Sequence, residues 1–588
     1  MQPYPIKNRY RARFDEIIAA GRKTYGVELV TGFEELVGGK NTRESAERVA
    51  GFLEGVSRAW YVPLGTNGDL TWLTKPAPDT IEAPNVLFVF GMGLGMGSPL
   101  PQASGQFDLY LNDRRILGFR VVKHSQTWRG DGCALHFSAH RIESSPAGMS
   151  MTLDDVLTQE SSAAFGMALL MVPKAWVAPG RPATIRVCAR SETGSNKWFQ
   201  LENTKSCIDR ADLDRGLKEM FGPRAESCGC RVFYGDIHTH CGVSTHEPSG
   251  CGMGSREDSY EYARGPGGLD IYSLTDHERQ ILAAGVSDYM KLADSYEEEG
   301  SFVCLPGYEF TSRFYGHRNV YFPDSNAPVI PSERSWNFKN RDPERSVSPQ
   351  ELWAALDAGG IRAITVPHHP SASSHPFNWD FYNPRYDRLV EIYSAWGSSD
   401  FYGDRPRGVS DRYPGLYVRE ALARGLRFGL IASSDGHDGH PGNAQSPVVK
   451  HHHLFHYCGS GWIAVLADKL TRSDVFDAMH ARRVYATTGV PIVLEFTVDD
   501  AIMGSELPRV PSNHSPTVKL SCTGANALDH VRIIKNGHIA LTVPCHGEWE
   551  CKIEWKDQAP RRDGPDFYYA RVVQVDGESA WSSPVWIG

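Results

Sequence analysis

The sequence of 588 residues lacks the features that mark membrane-spanning and secreted proteins. No stretch approaches the roughly 18 consecutive apolar residues of a membrane-spanning helix. The N-terminal residues lack the apolar core of a secretory signal. The 12 cysteines are scattered and do not have the spacing of a disulfide framework. These absences predict a cytoplasmic protein with no membrane partner.

The sequence also has no excess of positive charge, since its formal net charge is −9. A nucleic-acid-binding protein would present a basic face, so we expect a small-molecule substrate and no nucleic-acid partner. The hydrophobic content of 41% and the charged content of 22% are those of an ordinary globular protein. The length predicts about three domains, and nothing in the composition indicates the oligomeric state.

The order of the sequence patterns predicts an α/β protein with flanking β-domains. Residues 1–83 have a mixed, partly helical pattern, and residues 84–228 contain short alternating runs between turn signals, which is typical of a β-sandwich. In residues 229–484 strands alternate with helices, which predicts a parallel sheet or barrel. One of these helices begins with the capping-box sequence Ser348-Pro349-Gln350-Glu351. Residues 485–588 are again strand-like and predict a small C-terminal β-domain.

Six predicted strands between residues 230 and 440 lead into histidine, aspartate or glutamate, or carry one. They are Val232–Tyr234, Leu269–Leu274, Phe302–Leu305, Ile361–Val366, Leu389–Tyr393 and Phe428–Ile431. A parallel barrel gathers the C-terminal ends of its strands on one face, where barrel enzymes place their chemistry. Imidazole and carboxylate groups are ligands for divalent transition metals. The sequence therefore predicts a metal site with more than one ion.

Two of these segments carry the strongest local signals. His238 and His240 are two residues apart at a strand end, so their rings are expected on the same side of the strand. Glu309 follows an apolar strand, where a buried carboxylate is costly unless a positive charge meets it. A carboxylate that bridges two metal ions would satisfy that need.

The ordered set of motifs resembles the PHP family, named for its polymerase and histidinol phosphatase members. The matching motifs are Asp-Ile-His-Thr-His at 236–240, His246, Thr-Asp-His at 275–277, Gly-Tyr-Glu at 307–309, Pro-His-His-Pro at 367–370 and Ser-Asp-Gly-His at 434–437. The resemblance covers residues 230–440. It implies a distorted seven-stranded β/α barrel, similar to a TIM barrel, that holds two to three divalent ions of zinc, manganese or iron. The flanking β-domains resemble those of a large bacterial branch of the family.

The resemblance also implies which side chains bind each metal. One metal would be held by His238, His240, Glu309 and Asp435. A second would share Glu309 and add His317, which is expected in a loop, with either His368 or His369. Family motifs favour His369, whereas strand alternation favours His368. A third would be held by His246, His277 and His437.

This ligand set predicts a metal-dependent hydrolase in which a metal-bridging hydroxide is the nucleophile. The predicted catalytic residues are Glu309, Asp435 and His437. A phosphate ester is the first substrate class. The alternatives are a hydrolase or lyase for a carbohydrate-derived or other non-phosphate compound, and a binding module without catalysis. The predicted substrate-binding residues are Arg313, Arg318, Arg405, Arg407 and Tyr393, for which solvated surface charge or a core position is the competing interpretation.

Overall fold

The computed structural model describes most of the chain. The described residues are 26–31, 33–38, 60–62, 68–96, 105–122, 124–146, 160–190, 197–202, 216–217, 219–220, 224–242, 252–334, 346–372, 376–404, 414–443, 460–511, 514–559 and 564–588. They fall into two compact units. The first comprises Met1–Arg224 with Gly265–Gly268, and the second comprises Ala225–Arg264 with Leu269–Gly588.

The first unit is built from strands. They are β1 (Val27–Thr31), β2 (Phe33–Gly38), β3 (Trp60–Val62), β4 (Asp69–Thr74), β5 (Asn85–Met96), β6 (Gln106–Leu111), β7 (Arg114–Arg120), β8 (Gln126–Gly130), β9 (Cys133–Pro146), β10 (Glu160–Pro173), β11 (Thr184–Ala189) and β12 (Lys197–Glu202), with a 3-10 turn at Lys174–Trp176. One sheet has the order β3-β12-β5-β10-β9-β8 with β1 parallel to β5, and the other has the order β2-β4-β11-β6-β7.

The two sheets of the first unit share one apolar core. Every second residue of β4 and of β11 is buried, which is the pattern of a strand with one face on a core. Trp72 of β4 packs on Phe90 of β5, with ring centroids 5.3 Å apart. The two faces therefore cover each other in the manner of a sandwich.

The second unit mixes helices and strands. Its helices are α1 (Arg256–Arg264), α2 (Glu278–Ala284), α3 (Val286–Tyr296), α4 (Pro349–Ala358), α5 (Val418–Ala423) and α6 (Arg472–His480). Its first strands are β13 (Glu226–Ser227), β14 (Cys230–Asp236), β15 (Ile271–Tyr272), β16 (Val303–Cys304), β17 (Gly307–Ser312), β18 (Gly316–Tyr321), β19 (Ile364–Pro367), β20 (Leu389–Ser394), β21 (Gly397–Ser398) and β22 (Gly429–Ala432). Ser348 caps α4 in a capping box with Glu351, as the sequence predicts.

Parallel pairing in this part of the unit is short and interrupted. β14, β15 and β16 pair in parallel through two residues each, and β20 pairs in parallel with β22. The antiparallel hairpin β17–β18 and the strand β19 stand between these two sheets in sequence. Isolated parallel bridges add further links at Thr239–Gly436, His277–Glu309 and Thr365–Asp387. The result is an α/β arrangement rich in strands, and a regular (β/α)7 barrel is not seen among the described residues.

The remaining strands extend the sheet that contains β14 or form a second sheet. They are β23 (Trp462–Ala467), β24 (Val484–Thr487), β25 (Val493–Val498), β26 (Ala501–Ile502), β27 (Glu506–Leu507), β28 (Thr517–Thr523), β29 (Leu528–Lys535), β30 (His538–Pro544), β31 (Glu550–Lys556), β32 (Asp566–Gln574), β33 (Ser579–Ser582) and β34 (Val585–Ile587). The sheet runs β16-β15-β14-β23-β24-β33-β32-β29-β30, and a second sheet has the order β26-β25-β28-β31. One apolar core lies beneath both. In the described part of the chain, every helix is too short or too polar to cross a bilayer.

Candidate metal centre

Nine side chains from six segments of the second unit converge in its interior. They follow β14, β15 and β22, lie on the hairpin β17–β18, and follow β19. We call this set the donor cluster: His238, His240, His277, Glu309, His317, His368, His369, Asp435 and His437. All are buried except His277, whose side chain is 22% exposed.

Glu309 lies at the centre of the donor cluster. One of its carboxylate oxygens is 2.8 Å from His317 Nδ1. The other is 3.1 Å from His240 Nε2 and 3.2 Å from His277 Nδ1. His238 Nε2 and His368 Nε2 lie slightly farther away, at 3.7 and 3.6 Å. A single carboxylate thus faces five imidazole rings, as a bridging ligand would.

Asp435 is the second carboxylate of the donor cluster. Its Oδ1 lies 3.3 Å from both His238 Nε2 and His240 Nε2, and its Oδ2 lies 3.9 Å from His369 Nε2. The backbone of Asp435 has a φ of 50°, and that of His369 has a φ of 32°. This left-handed region is unfavourable for side chains with a Cβ. Such strain at two members of one cluster is typical of functional sites.

The donor atoms form four groups in which all ligand atoms lie within 4.8 Å of one another. The groups are His238-His240-Glu309, His238-His368-Asp435, His317-His368-His369 and His240-His277-His437. His238 Nε2 and His240 Nε2 are only 3.4 Å apart. Imidazole and carboxylate at this spacing match the ligand preferences of zinc and related ions.

Unsatisfied nitrogen atoms provide a separate test of the fit to metal ions. Among the described residues, neither ring nitrogen of the buried His368 has a hydrogen-bond partner, nor does His240 Nδ1. A buried polar atom without a partner is costly. A bound cation would accept a lone pair from such a ring, so the donor set fits divalent metal ions.

Electrostatics keeps the two carboxylates of the donor cluster ionised. Burial alone would raise the pKa of Glu309, but His277 and His317 outweigh it and hold the pKa well below its usual range. Burial would likewise raise the pKa of Asp435, yet His238 and His240 hold it well below its usual range. Both groups therefore carry the negative charge that a cation needs.

The pKa is raised for two imidazoles of the donor cluster and lowered for a third. Burial would lower the pKa of His238, but Asp435 and Glu391 outweigh it and hold the pKa well above the ordinary value. The pKa of His240 is raised to about 9 against the same effect of burial, chiefly by Asp435 and Glu309. In contrast, burial and the neighbouring His238 lower the pKa of His368 to about 3. His368 is therefore neutral, which is the form that binds a metal ion.

A third carboxylate orients His238 from outside the donor cluster. Glu391 Oε2 on β20 lies 2.9 Å from His238 Nδ1, and both side chains are buried. This hydrogen bond places the proton on Nδ1 and leaves Nε2 directed at the cluster. Burial raises the pKa of Glu391 to about 7. The sequence places Glu391 within the predicted strand Leu389–Tyr393 without indicating its role, although a carboxylate inside an apolar strand is the available signal.

Two further buried aspartates fix the backbone that carries the donors. Asp236 accepts hydrogen bonds from the backbone N–H groups of Ser434 at 2.9 Å and Gly442 at 2.7 Å. Asp276 accepts one from the backbone of Cys241 at 2.9 Å. Burial raises the pKa of Asp236 to about 6. The bonds of Asp236 join the end of β14 to the segment after β22, and the bond of Asp276 joins the segment after β15 to the segment after β14.

The structure departs from the expected ligand set in three respects. His368 and His369 both lie in the donor cluster, so both are candidate ligands. His317 lies on strand β18 and not in a loop, because the hairpin pairs it with Thr311. The third group contains His240 beside His277 and His437, and His246 lies outside the described residues.

Of the three predicted substrate-binding residues that the structure describes, Arg318 and Tyr393 are buried in the interior. Arg318 is fully buried, lies 3.5 Å from Asp387 and donates a hydrogen bond to the carbonyl of Phe381, so it stabilises the interior and is closed to substrate. Tyr393 is buried in the apolar core and stacks on Trp581 at 6.0 Å. Arg313 is half-buried in the turn between β17 and β18. The last two, Arg405 and Arg407, lie outside the described residues.

Sequence comparisons connect the chain to uncharacterised proteins. A family described as "Protein of unknown function (DUF3604)" matches residues 270–377 and 393–509. An uncharacterized protein of Chlamydia pneumoniae is 28% identical over 357 residues, covering 56% of this chain and 54% of that protein. One of Chlamydia trachomatis is 30% identical over 365 residues, covering 57% and 55%. The chain spans about half the length of the curated relatives it matches.

Two solved structures show a distant likeness. One is a two-domain protein from Bacteroides vulgatus described as containing a predicted PHP-like metal-dependent phosphoesterase, with 14% identity, a TM-score of 0.29 and coverage of 62% of this chain and 97% of that chain. The other is PsfC from Pseudomonas syringae, with 13% identity, a TM-score of 0.26 and coverage of 41% and 88%. Neither defines the fold or the activity of this chain.

Proposed function

We propose that the protein is a metal-dependent hydrolase whose first substrate class is a phosphate ester. The observation that carries the proposal is the donor cluster, in which two ionised carboxylates face seven imidazoles, six of them buried. Burying so many polar groups without metal ions would be costly, since several ring nitrogens have no other partner among the described residues. The proposal includes membership of the PHP family and a distorted barrel. The parallel bridge that leads from Gly436 back to Thr239 supports that barrel.

The donor groups indicate which residues would hold the ions. Glu309 would be shared between one site with His238 and His240 and a second site with His317. Asp435 would complete a site with His368. A third site would be formed by His240, His277 and His437. Bound divalent cations would supply Lewis acidity and lower the pKa of a coordinated water. In the proposal Glu309 and Asp435 bind and orient. His437, whose ring lies 4.3 Å from that of His240, would hold the proton for the leaving group when two ions are bound and the third site is empty.

The charge balance of the donor cluster favours an anionic substrate. When the imidazoles are neutral, the protein contributes a charge of about −2 from Glu309 and Asp435. Two or three divalent cations would bring about +4 to +6. The loaded centre would therefore keep a net positive charge, which a phosphate ester would neutralise better than an uncharged sugar or lactone.

One observation supports a non-phosphate, carbohydrate-derived substrate as the second candidate. The ring of Trp396, which follows β20, lies 5.0 Å from the ring of His369. An aromatic side chain beside a catalytic centre is a suitable stacking surface for a sugar ring.

A substrate panel with defined metals tests the proposal. The full chain would be purified without chelators, its zinc, manganese and iron measured, and hydrolysis assayed with phosphate monoesters, phosphate diesters, lactones and oligosaccharides. We expect about two to three metal equivalents per chain and turnover of a phosphate ester. A protein without bound metal that gains no activity on adding zinc or manganese would refute the proposal. Turnover confined to the uncharged substrates would instead select the second candidate.

Glu309→Gln is the sharpest variant for the same experiment. It removes the charge that faces five imidazoles but leaves the side-chain volume almost unchanged, so metal content should fall and turnover should drop by about two orders of magnitude or more. Glu495→Gln, on strand β25 and outside the donor groups, is the control and should keep both properties. A Glu309→Gln protein with full metal content and unchanged turnover would exclude the bridging role.

A further inference from the structure

The loop that leaves β20 contacts the donor cluster at His369. Trp396 lies against His369, and Ser399 Oγ lies 2.9 Å from Ser371 Oγ. Both contacts fall on the short segment His368–Ser371, which follows β19 and supplies two donors. Since the backbone of His369 is held at a φ of 32°, this segment requires support from its surroundings.

The same loop is anchored on its other side by buried charges. The carboxylate of Asp400 accepts two hydrogen bonds from the guanidinium of Arg419, both 2.9 Å long. It also accepts one from the hydroxyl of Tyr569 at 2.7 Å. Trp581 Nε1 lies 3.3 Å from the same carboxylate. Asp400 is thus fully buried and tied to helix α5 and to the strands β32 and β33.

A second buried aspartate repeats this arrangement four residues later. Asp404 Oδ1 lies 2.6 Å from Arg571 Nη1 on β32, and Asp404 Oδ2 accepts a hydrogen bond from Ser398 Oγ at 2.6 Å. Arg571 Nη1 is also 3.6 Å from Asp400, and its guanidinium lies 4.8 Å from the ring of Trp581. We call these residues the ion network: Asp400, Asp404, Arg419, Tyr569, Arg571 and Trp581.

Charges buried at this density cost more in desolvation than apolar packing would, and their usual benefit is a unique geometry. Here the ion network fixes a loop whose other face touches the donor cluster. The chain of contacts runs from β32 through Asp404 and Asp400 to Ser399, and then through Ser371 to His369. Every side chain along this path is buried.

We propose that Arg571 and Tyr569, on the C-terminal strand β32, are positioning residues for the His317-His368-His369 donor group. They act through the loop after β20, which holds the segment His368–Ser371 in its strained conformation. The inference rests on the proposed function for its metal readout. Arg571 and Tyr569 lie far in sequence from the His317-His368-His369 donor group, and they reach it through the contacts of the loop.

The experiment compares Arg571→Met with Arg482→Met in the full chain. Arg482 is a matched control because it is equally buried, lies 2.6 Å from the carboxylate of Glu506 and has its guanidinium 4.9 Å from the ring of Trp586. Zinc per chain is measured after reconstitution with Zn²⁺, and hydrogen exchange of the peptide covering 368–372 is measured in metal-free protein. Arg571→Met should lose about one zinc equivalent and exchange about tenfold faster in that peptide. Arg482→Met should keep the wild-type zinc content and exchange rate there.

Ser399→Ala supplies a milder test, in case Arg571→Met fails to fold. It removes the hydrogen bond to Ser371 and leaves the ion network intact, so it should accelerate exchange in the same peptide by a smaller factor. Wild-type zinc content and exchange in both Arg571→Met and Ser399→Ala would overturn the inference. Equal zinc loss in Arg482→Met would also overturn it.

The two proposals fail in different ways. If the wild-type chain binds no zinc, the proposed function is refuted, yet the exchange measurement in metal-free protein still tests the coupling between β32 and residues 368–372. If the wild-type chain binds zinc and the variants show no local change, only the positioning role is refuted.

Discussion

Replacing Glu391 tests how far the donor cluster depends on groups that never touch a metal ion. Its carboxylate lies 2.9 Å from His238 Nδ1, and both groups are buried. Glu391→Leu removes the acceptor and leaves the ring free to turn or to change its tautomer. Glu391→Gln keeps an oxygen that can accept the same hydrogen bond but removes the charge.

The expected loss of metal affinity follows from the position of the Glu391 carboxylate behind the ring of His238. Loss of a hydrogen-bond partner behind a histidine ligand weakens metal affinity by about 10- to 100-fold, or about 1.4–2.8 kcal/mol. Glu391→Leu should reach that range because Nδ1 of His238 also loses its partner in the interior. Glu391→Gln should lie nearer to wild type, since it preserves the orientation of the ring.

Competition with a chromogenic chelator would measure zinc affinity for wild type and both variants. Asp557→Asn is the matched control: that carboxylate is buried near the C-terminal end, accepts a hydrogen bond from Tyr568 at 2.8 Å and contacts Lys535, and it takes no part in the donor groups. It should change the free energy of unfolding without changing zinc affinity. Wild-type zinc affinity in Glu391→Leu would refute the orienting role.

Three further outcomes follow from the structure. Removing metal with a chelator should lower the melting temperature. Restoring zinc at about 1,000 times its Kd should return about 4 kcal/mol of stability, as measured by thermal denaturation. An unchanged melting temperature would contradict metal binding by the folded protein. Arg318→Met should lower the free energy of unfolding by about 3–5 kcal/mol because it leaves the buried carboxylate of Asp387 without its positively charged partner, which a denaturant titration would show. Ser348→Ala should cost only about 1 kcal/mol in the same titration, since it removes one hydrogen bond of the capping box at α4.

The strands that carry the site were predictable because their signal is local. Apolar runs that end in histidine or carboxylate are visible in a short window, and the structure has a strand at each of the six predicted places. The helix caps at Ser348 and Thr471 depend on three or four neighbouring residues and were equally visible. These elements need no knowledge of distant parts of the chain.

The hairpin β17–β18 was missed because its pairing is set by a turn. Gly316 has a φ of 85° and contacts Phe377, and this turn places His317 opposite Thr311. Read as a loop, the segment gave no register for His317 relative to Glu309. The antiparallel pairing supplies that register and brings the two side chains to 2.8 Å.

Tyr393 is a predicted substrate-binding residue, with a position in the core as the competing interpretation. The structure has an irregularity in the pairing of β20 with β22 between Glu391 and Tyr393, so that Glu391 is opposite Ile431 and Tyr393 is opposite Ala432. Such a bulge reverses the alternation beyond it. Glu391 consequently meets His238, whereas Tyr393 turns to Trp581 in the core. No local pattern in the sequence marks the position of this bulge.

The pairing of β14 with β23 has a consequence for how the protein is made. Residues 230–236, which lead into the first two histidines of the donor cluster, pair with β15 on one edge but find their longer partner on the other edge at residues 462–467, and that sheet then continues to β33 and β32. Contacts so distant in sequence form slowly, because a long stretch of chain must be ordered before they contribute. During synthesis the early histidines would leave the ribosome long before their sheet could close. Metal loading should therefore be a late event that follows release of the chain, and a cell that limits zinc after translation should accumulate folded but inactive protein.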